Sequence, residues 1–138
     1  MQKKHYEVVA AVITKNENGV EKIFCAQRPG PKPGKDLNET HYKWEFPGGK
    51  IEDGETREQA LAREIWEEFG AKIQIGSFIT TVNHEYKSFC ITMHAFYCKL
   101  IEGELELKEH LDSCWLERSR MMTLDWAAAD VPIVQAIM

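Results

Sequence analysis

The sequence lacks the features that usually mark an exported or membrane-bound protein. The longest uninterrupted apolar run, residues 8–13, is too short for a membrane span or for the core of a signal peptide. The four cysteines have neither CxxC nor Cys/His spacing, which argues against a zinc site or a disulfide framework. We therefore expect a cytoplasmic protein that has no contact with a membrane and uses its cysteines as small core hydrophobes.

The charge balance is acidic. The chain has 17 basic and 22 acidic residues, which give a formal net charge of −5. Because the acids concentrate in residues 52–68 and 102–112, the sequence argues against binding to a nucleic-acid polymer. A nucleotide is still compatible, since a triphosphate arrives with metal ions that carboxylates attract. With 138 residues, the chain is predicted to form a single domain, residues 1–138.

The apolar pattern predicts several strands and two helices. Strand-like runs cover residues 6–14, 20–28, 43–46, 71–84, 90–100, 104–107 and 113–116. One helix is predicted in the middle of the chain and another from about Asp130, which together give an α/β class. Residues 29–43 hold three prolines and two glycines and are predicted to be a loop with some mobility. Such a loop is either a lid or binding loop or a tolerated insertion.

The clearest local signal is a helix over residues 57–69. Thr56 and Gln59 form a capping-box pair at its start, and Gly70 is the expected left-handed stop. An apolar stripe along the helix predicts that one side packs against the core.

Three carboxylates, Glu64, Glu67 and Glu68, crowd one side of this helix. They fall within about a 100° arc, where each like-charged pair costs about 0.2–0.5 kcal/mol. Glu67 and Glu68 also lie near the C-terminal end, where the helix dipole disfavours anions by a further ~0.3–1 kcal/mol each. A hard divalent cation reverses the sign of these terms, so the pattern favours a metal site over a solvated acidic face.

These residues also carry a family resemblance. Gly49, Glu55 and the run REIWEEFGA at residues 63–71 stand at the spacing of the signature of the Nudix hydrolases, which the chain resembles. Further support comes from EVVAAVI at residues 7–13, AQRP at 26–29, WEFPGGKIE at 44–52 and ADVPIVQAI at 129–137. The resemblance is closest to the MutT-like and CTP pyrophosphohydrolase-like branch.

The resemblance implies a Nudix-type α/β/α sandwich with a mixed β-sheet and a Mg²⁺ site in which Mn²⁺ can substitute. The implied metal ligands are the Gly48 carbonyl, Glu64, Glu67, Glu68 and Glu109. Arg63 and Glu55 would orient these carboxylates and complete the catalytic set. The general base would be either Glu64 or Glu109.

Five further residues are candidates for substrate contact. By resemblance, Arg28 and Lys50 would meet the phosphates, and Phe46 and Tyr86 would flank the base. Asp130 would read the edge of the base, although it is also a good N-cap for the last helix. An ionised Asp130 favours an exocyclic amine such as that of cytosine, whereas a protonated one could read a carbonyl, as in 8-oxoguanine.

We expect a magnesium-dependent nucleoside triphosphate pyrophosphohydrolase that releases a nucleoside monophosphate and pyrophosphate. Its candidate substrates are CTP-like or oxidised and modified nucleotides, which it would clear from the nucleotide pool. Two alternatives stay open: a hydrolase of another nucleoside diphosphate derivative such as ADP-ribose, and a non-catalytic nucleotide-binding regulatory domain. The protein is expected to be a monomer or a homodimer. His84 and His110 have no partner at motif spacing and are expected to be structural or solvated.

Overall fold

The computed structural model describes residues 3–138; Met1 and Gln2, the first residues of the predicted single domain, lie outside that range. The strands are β1 Lys4–Glu17, β2 Val20–Gln27, β3 Trp44–Glu45, β4 Gly48–Lys50, β5 Lys72–Glu85, β6 Phe89–Glu102 and β7 Asp112–Leu116. The α-helices are α1 Arg57–Phe69 and α2 Val131–Ile137, and two short 3₁₀ helices cover Arg118–Thr123 and Ala128–Asp130. In the described part of the chain, no helix has the length and apolar character needed to cross a membrane.

The seven described strands form one mixed sheet. Its main path runs β3-β2-β1-β6-β5, while β4 pairs with β1 and β7 pairs with β2. β1 and β6 are parallel, and the remaining pairs are antiparallel. This arrangement confirms the predicted α/β class with a mixed sheet.

Alternation along β1 gives the sheet two buried faces. Val9, Ala11 and Ile13 pack in the cluster that includes the apolar stripe of α1. Ala10 and Val12 point the other way and pack with the apolar residues of α2. Because successive side chains of a strand face opposite sides, one apolar strand supports a helix on each face and produces the α/β/α sandwich.

Helix α1 begins and ends where the sequence predicted. The Gln59 amide donates to the Thr56 hydroxyl at 3.1 Å, and the Thr56 amide donates to the Gln59 side chain at 2.9 Å. Gly70 adopts φ 68° and donates its amide to the Trp66 carbonyl. The capping box and the left-handed glycine therefore set both ends of the helix that carries the acidic residues.

The segment after Pro47 is a strand that the apolar pattern did not predict. Gly48 to Lys50 form strand β4, which pairs antiparallel with β1. A Cβ atom on Gly48 would collide with the Val9 carbonyl, so the missing side chain is what lets the two backbones pair this closely.

Two longer loops connect strands of the sheet, one between β2 and β3 and one between β6 and β7. Residues 104–107 alternate in sequence but form no strand, because the Glu106 amide donates to the last carbonyl of α1 at 3.1 Å instead of joining a sheet. Residues 29–43 form a loop, as predicted, and its Glu39 side chain accepts a hydrogen bond from the Lys87 amide at 2.6 Å.

Candidate active site

A cavity of about 460 Å³ opens between β4, the end of α1 and the segment before α2. The predicted site residues that line it are Arg28, Phe46, Gly48, Lys50, Glu68, Tyr86 and Asp130, and Gly49 of the signature lines it as well. The other predicted residues, Glu55, Arg63, Glu64, Glu67 and Glu109, are not among its lining residues. The structure therefore brings the proposed phosphate-contacting and base-contacting residues together around one acidic helix end.

Arg63 binds three of the predicted carboxylates at once. Its Nε and Nη2 atoms donate to Glu55 at 2.7 and 3.0 Å, and its Nη1 donates to Glu64 at 2.9 Å. Nη1 also lies 3.3 Å from Glu67, and Nη2 donates to the Lys50 carbonyl at 2.9 Å. The hydrogen bonds from Arg63 hold the pKa of Glu55 below its usual range. One guanidinium thus orients the carboxylates and ties α1 to β4.

The Glu64 carboxylate lies against the backbone of Gly49. A Cβ atom on Gly49 would collide with that carboxylate, so this glycine permits the close approach of β4 and α1. The Glu64 side chain is 15% exposed, and burial raises its pKa although Arg63 donates to it.

Glu68 is the helix carboxylate that reaches the cavity. Its Oε2 atom is buried and has no hydrogen-bond partner among the described residues. Burial, together with the negative charges of Glu45, Glu64 and Glu109, raises the pKa of Glu68 to about 9. A cation beside Oε2 would satisfy this oxygen and stabilise the ionised carboxylate.

Arg28 lines the same cavity and has an unsatisfied group of the opposite kind. Its Nη1 donates to Glu45 at 3.3 Å, but its buried Nε–H has no acceptor among the described residues. The second oxygen of Glu45 is 2.8 Å from Nε2 of His110. Neither Glu45 nor a functional use of His110 was predicted from the sequence; the position of Glu45 in the WEFPGG segment was the available signal.

Glu109 is exposed on the loop between β6 and β7. Its charge contributes to the raised pKa of Glu68, so its carboxylate lies within electrostatic reach of the end of α1. The loop is anchored on both sides of Glu109, by the Glu106 amide on the last carbonyl of α1 and by the Leu111 amide on the last carbonyl of β2, at 2.9 Å.

Asp130 stands at the N-cap position of α2, as predicted, but its side chain makes no capping hydrogen bond. Instead, Oδ2 accepts from the Phe46 amide at 2.9 Å, because the tertiary fold places that otherwise unpaired donor beside it. Asp130 is only 5% exposed, and burial, followed by the charge of Glu45, raises its pKa well above the usual range. A neutral carboxyl group can donate a hydrogen bond as well as accept one.

The predicted aromatic residues are both core and cavity residues. Phe46 stacks on Trp126 with centroids 4.7 Å apart, and the Tyr86 hydroxyl accepts from the Ala129 amide at 3.0 Å. Both side chains are almost fully buried, yet both also line the cavity. They therefore form a rigid wall.

Two further aromatic residues, Tyr6 and Phe89, line the cavity and were missed from the sequence. Their rings contact edge to face at 5.9 Å, and the Lys50 ammonium lies 4.0 Å from the centre of the Tyr6 ring. The alternation of β1 carried a signal, because Tyr6 shares its face with Ala10 and Val12.

The donor set fits a hard divalent cation. In residues 3–138, no three His, Cys, Asp or Glu side chains already converge as a metal-binding group. However, the available donors are carboxylate and carbonyl oxygens, which suit magnesium and manganese better than softer metals. The buried, unpartnered Oε2 of Glu68 is the specific place where a cation would be stabilised.

Known proteins resemble this chain over most of its length. A sequence model of the NUDIX domain matches residues 4–137. The chain is 34% identical over 135 residues to the CTP pyrophosphohydrolase of Escherichia coli (strain K12), in an alignment that covers 98% of this chain and 93% of the relative. It is 40% identical over 116 residues to the 8-oxo-dGTP diphosphatase of Proteus vulgaris, covering 83% and 92% of the two chains.

Solved structures also match. The solution structure of the E. coli ORF135 protein has a TM-score of 0.75 and 33% sequence identity, and the match covers 99% of this chain and 90% of that one. The crystal structure of the MutT protein from Methanosarcina mazei Go1 has a TM-score of 0.80 at 23% identity, covers 98% and 94%, and supports the fold alone.

The matched family region spans nearly the whole described chain, and one signature carboxylate, Glu68, lines the cavity at the end of α1. The resemblance seen in the sequence is thereby confirmed. The chain belongs to the Nudix hydrolase family, whose enzymes generally need a divalent metal ion.

Proposed function

We propose that this protein is a nucleoside triphosphate pyrophosphohydrolase, which converts a triphosphate and water to a nucleoside monophosphate and pyrophosphate. The observation that carries the proposal is a pair of buried groups that have no hydrogen-bond partner in residues 3–138, the acceptor Glu68 Oε2 and the donor Arg28 Nε, on two residues that line the cavity. A phosphate chain with its metal ion presents both a cation and anionic oxygens, so it satisfies both groups at once. A cation or an anion alone satisfies only one of them.

Mg²⁺ is the proposed ion, with Mn²⁺ as a substitute. Glu64, Glu67, Glu68 and the Gly48 carbonyl would hold it, with Glu109 as a further ligand from the neighbouring loop. When bound, the ion supplies Lewis acidity toward the phosphate oxygens and the attacking water.

The remaining chemistry belongs to the chain. Arg63, braced by Glu55, keeps Glu64 and Glu67 in one orientation. Arg28 and Lys50, both at the cavity wall, neutralise the charge that accumulates on the phosphate oxygens during attack.

Two carboxylates compete for the proton of the attacking water. Glu64 accepts a hydrogen bond from Arg63, whereas Glu109 is exposed near Glu68. The pH–rate profiles of Glu64→Gln and Glu109→Gln separate them. Only the variant that lacks the general base should lose the fall in rate at low pH, whereas the part of the profile that depends on metal binding should remain.

The base-binding end suits a base edge that presents a hydrogen-bond acceptor beside a donor. Burial raises the pKa of Asp130 and so favours its neutral form, which can donate to a carbonyl oxygen and accept from a neighbouring N–H. An oxidised purine such as that of 8-oxo-dGTP, the substrate in the name of one relative, presents these two groups side by side. A cytosine nucleotide, as in the name of the other relative, offers an amine beside an acceptor nitrogen and is the competing substrate.

The test is a panel of canonical, oxidised and methylated nucleoside triphosphates with Mg²⁺, together with ADP-ribose, followed by ³¹P NMR of the products. We expect pyrophosphate and a nucleoside monophosphate as products, without release of inorganic orthophosphate. Turnover should be lost in Glu67→Gln. Turnover of ADP-ribose alone would overturn the substrate class in favour of another nucleoside diphosphate derivative. Tight binding of triphosphates without hydrolysis of any compound would overturn the enzyme in favour of a regulatory domain.

A further inference from the structure

His110 is a buried polar group that the proposed chemistry does not use. Its side chain is 5% exposed, and its ring lies nearly parallel to that of Phe69, with centroids 5.2 Å apart and planes at 17°. Its Nε2 atom is 2.8 Å from Glu45 Oε2. An ionised carboxylate only accepts hydrogen bonds, so the tautomer of His110 that carries its proton on Nε2 is the one that can donate to it in this contact.

The contact continues from Glu45 to the cavity. The other oxygen of Glu45 accepts from Arg28 Nη1 at 3.3 Å. Glu45 stands on β3 opposite Ala26 of β2, and Arg28 follows at the end of β2, so the two side chains project from neighbouring strands. Glu45 therefore has one oxygen on a buried imidazole and the other on a guanidinium at the cavity wall.

We propose that His110 is a positioning residue, which fixes Glu45 and, through Glu45, orients the Arg28 guanidinium toward the substrate phosphates. An arginine side chain has several rotatable bonds, so an unbraced Arg28 would lose rotamer freedom each time it bound an anion. A brace that is already in place reduces this loss and strengthens substrate binding. The identity of the ligand in this inference rests on the proposed triphosphate substrate.

His110→Phe tests the brace, because phenylalanine keeps a flat ring against Phe69 but cannot donate to Glu45. His94→Phe is the matched control, since the His94 side chain is also 5% exposed and its Nε2 lies 3.0 Å from Glu7, but Glu7, unlike Glu45, does not line the cavity. We expect similar falls in Tm for both variants. Only His110→Phe should raise KM for the preferred triphosphate, by about tenfold, with kcat changed less than about threefold.

A rescue variant and a double variant sharpen the test. His110→Gln offers an amide donor to Glu45, so its KM should rise less than that of His110→Phe. If the ring had only a structural role, glutamine would not replace it in this way. In an Arg28→Lys background, His110→Phe should raise KM far less than in the wild type. An unchanged KM in His110→Phe, an equal rise in His94→Phe, or full additivity with Arg28→Lys would overturn the inference.

A spectroscopic readout keeps this inference separate from the proposed function. In ¹⁵N relaxation measurements without nucleotide, the Arg28 Nε–H group should be more mobile in His110→Phe than in the wild type or in His94→Phe. Equal mobility in all three proteins would overturn the brace. If the wild type hydrolyses no triphosphate, the proposed function fails, while this measurement still decides whether His110 holds Arg28.

Discussion

The Arg63 guanidinium contacts the Glu55 carboxylate through two hydrogen bonds, at 2.7 Å from Nε and 3.0 Å from Nη2. The two side chains are only 22% and 19% exposed, so the pair is shielded more than a typical surface ion pair. Since Nη2 also donates to the Lys50 carbonyl, this contact joins the segment before α1, the middle of α1 and β4. We expect the orientation of the acidic side of the helix to depend on it.

Arg63→Lys should lower kcat by about 10–100-fold, because an ammonium group cannot replace a fork that serves several acceptors. The apparent affinity for Mn²⁺, measured by calorimetry without nucleotide, should fall as well. Arg57→Lys, at an exposed position in the first turn of the same helix, is the control and should leave both quantities unchanged. Wild-type kinetics in Arg63→Lys would show that the carboxylates do not need this orientation.

Glu68→Gln should stabilise the metal-free protein, and more so as the pH rises. The unfolded chain loses the Glu68 proton near pH 4.5, whereas the folded chain keeps it until about pH 9. Between these values the folded state binds more protons, so this group's contribution to stability is present below pH 4.5 and is lost as the pH rises toward 9.

We expect the free energy of unfolding of Glu68→Gln in EDTA to exceed that of the wild type by about 1–3 kcal/mol at pH 8. The gain should be much smaller at pH 5. Urea unfolding at the two pH values measures it, with the exposed Glu104→Gln as control. A gain that does not depend on pH would contradict the raised pKa of Glu68.

Gly49→Ala and Gly48→Ala should fail in different ways. The added methyl group at Gly49 meets the Glu64 carboxylate, which can move aside, so activity should fall by about 100-fold or more with a small change in Tm. The methyl group at Gly48 meets the Val9 backbone, so pairing of β4 with β1 should weaken and Tm should fall. Thermal unfolding and hydrolysis assays on both variants measure the two effects. The distinction would be refuted if the variant with the larger loss of activity also had the larger fall in Tm.

Asp130→Asn should retain recognition of a carbonyl-bearing base, because the amide keeps an oxygen for the Phe46 amide and offers an N–H donor to the base. Its kcat/KM for an oxidised purine nucleotide should stay within about tenfold of the wild type, while Asp130→Ala should lose about 100-fold or more. Competition assays between oxidised purine and cytosine nucleotides measure the preference. Equal losses in both variants would mean that a charged Asp130 is required.

Predictability from the sequence followed the distance between partners along the chain. The ends of α1 were predictable to the residue, because the capping box joins Thr56 to Gln59 and the stop depends on Gly70 alone. The acidic arc and its Arg63 partner were predictable for the same reason, since they lie within two turns of one helix. The strands of the mixed sheet followed from apolar alternation, apart from residues 104–107 and the strand at Gly48 to Lys50.

The cavity itself depended on contacts that no local pattern encodes. Asp130 meets the Phe46 amide 84 residues away, and His110 meets Glu45 at a separation of 65 residues. A good N-cap residue therefore became a buried acid, and a histidine without a motif became a neighbour of the active site.

The sequence by itself determined the family and the acidic side of α1. Glu64, Glu67 and Glu68 share that side because helix geometry places residues three and four apart on one face whatever surrounds them. Only the tertiary structure decided that Glu68 Oε2 is buried with no hydrogen-bond partner in residues 3–138, that the pKa of Asp130 is raised, and that Glu45 stands between His110 and Arg28. Burial and charge proximity set these properties, and both arise when the sheet brings distant segments to one cavity.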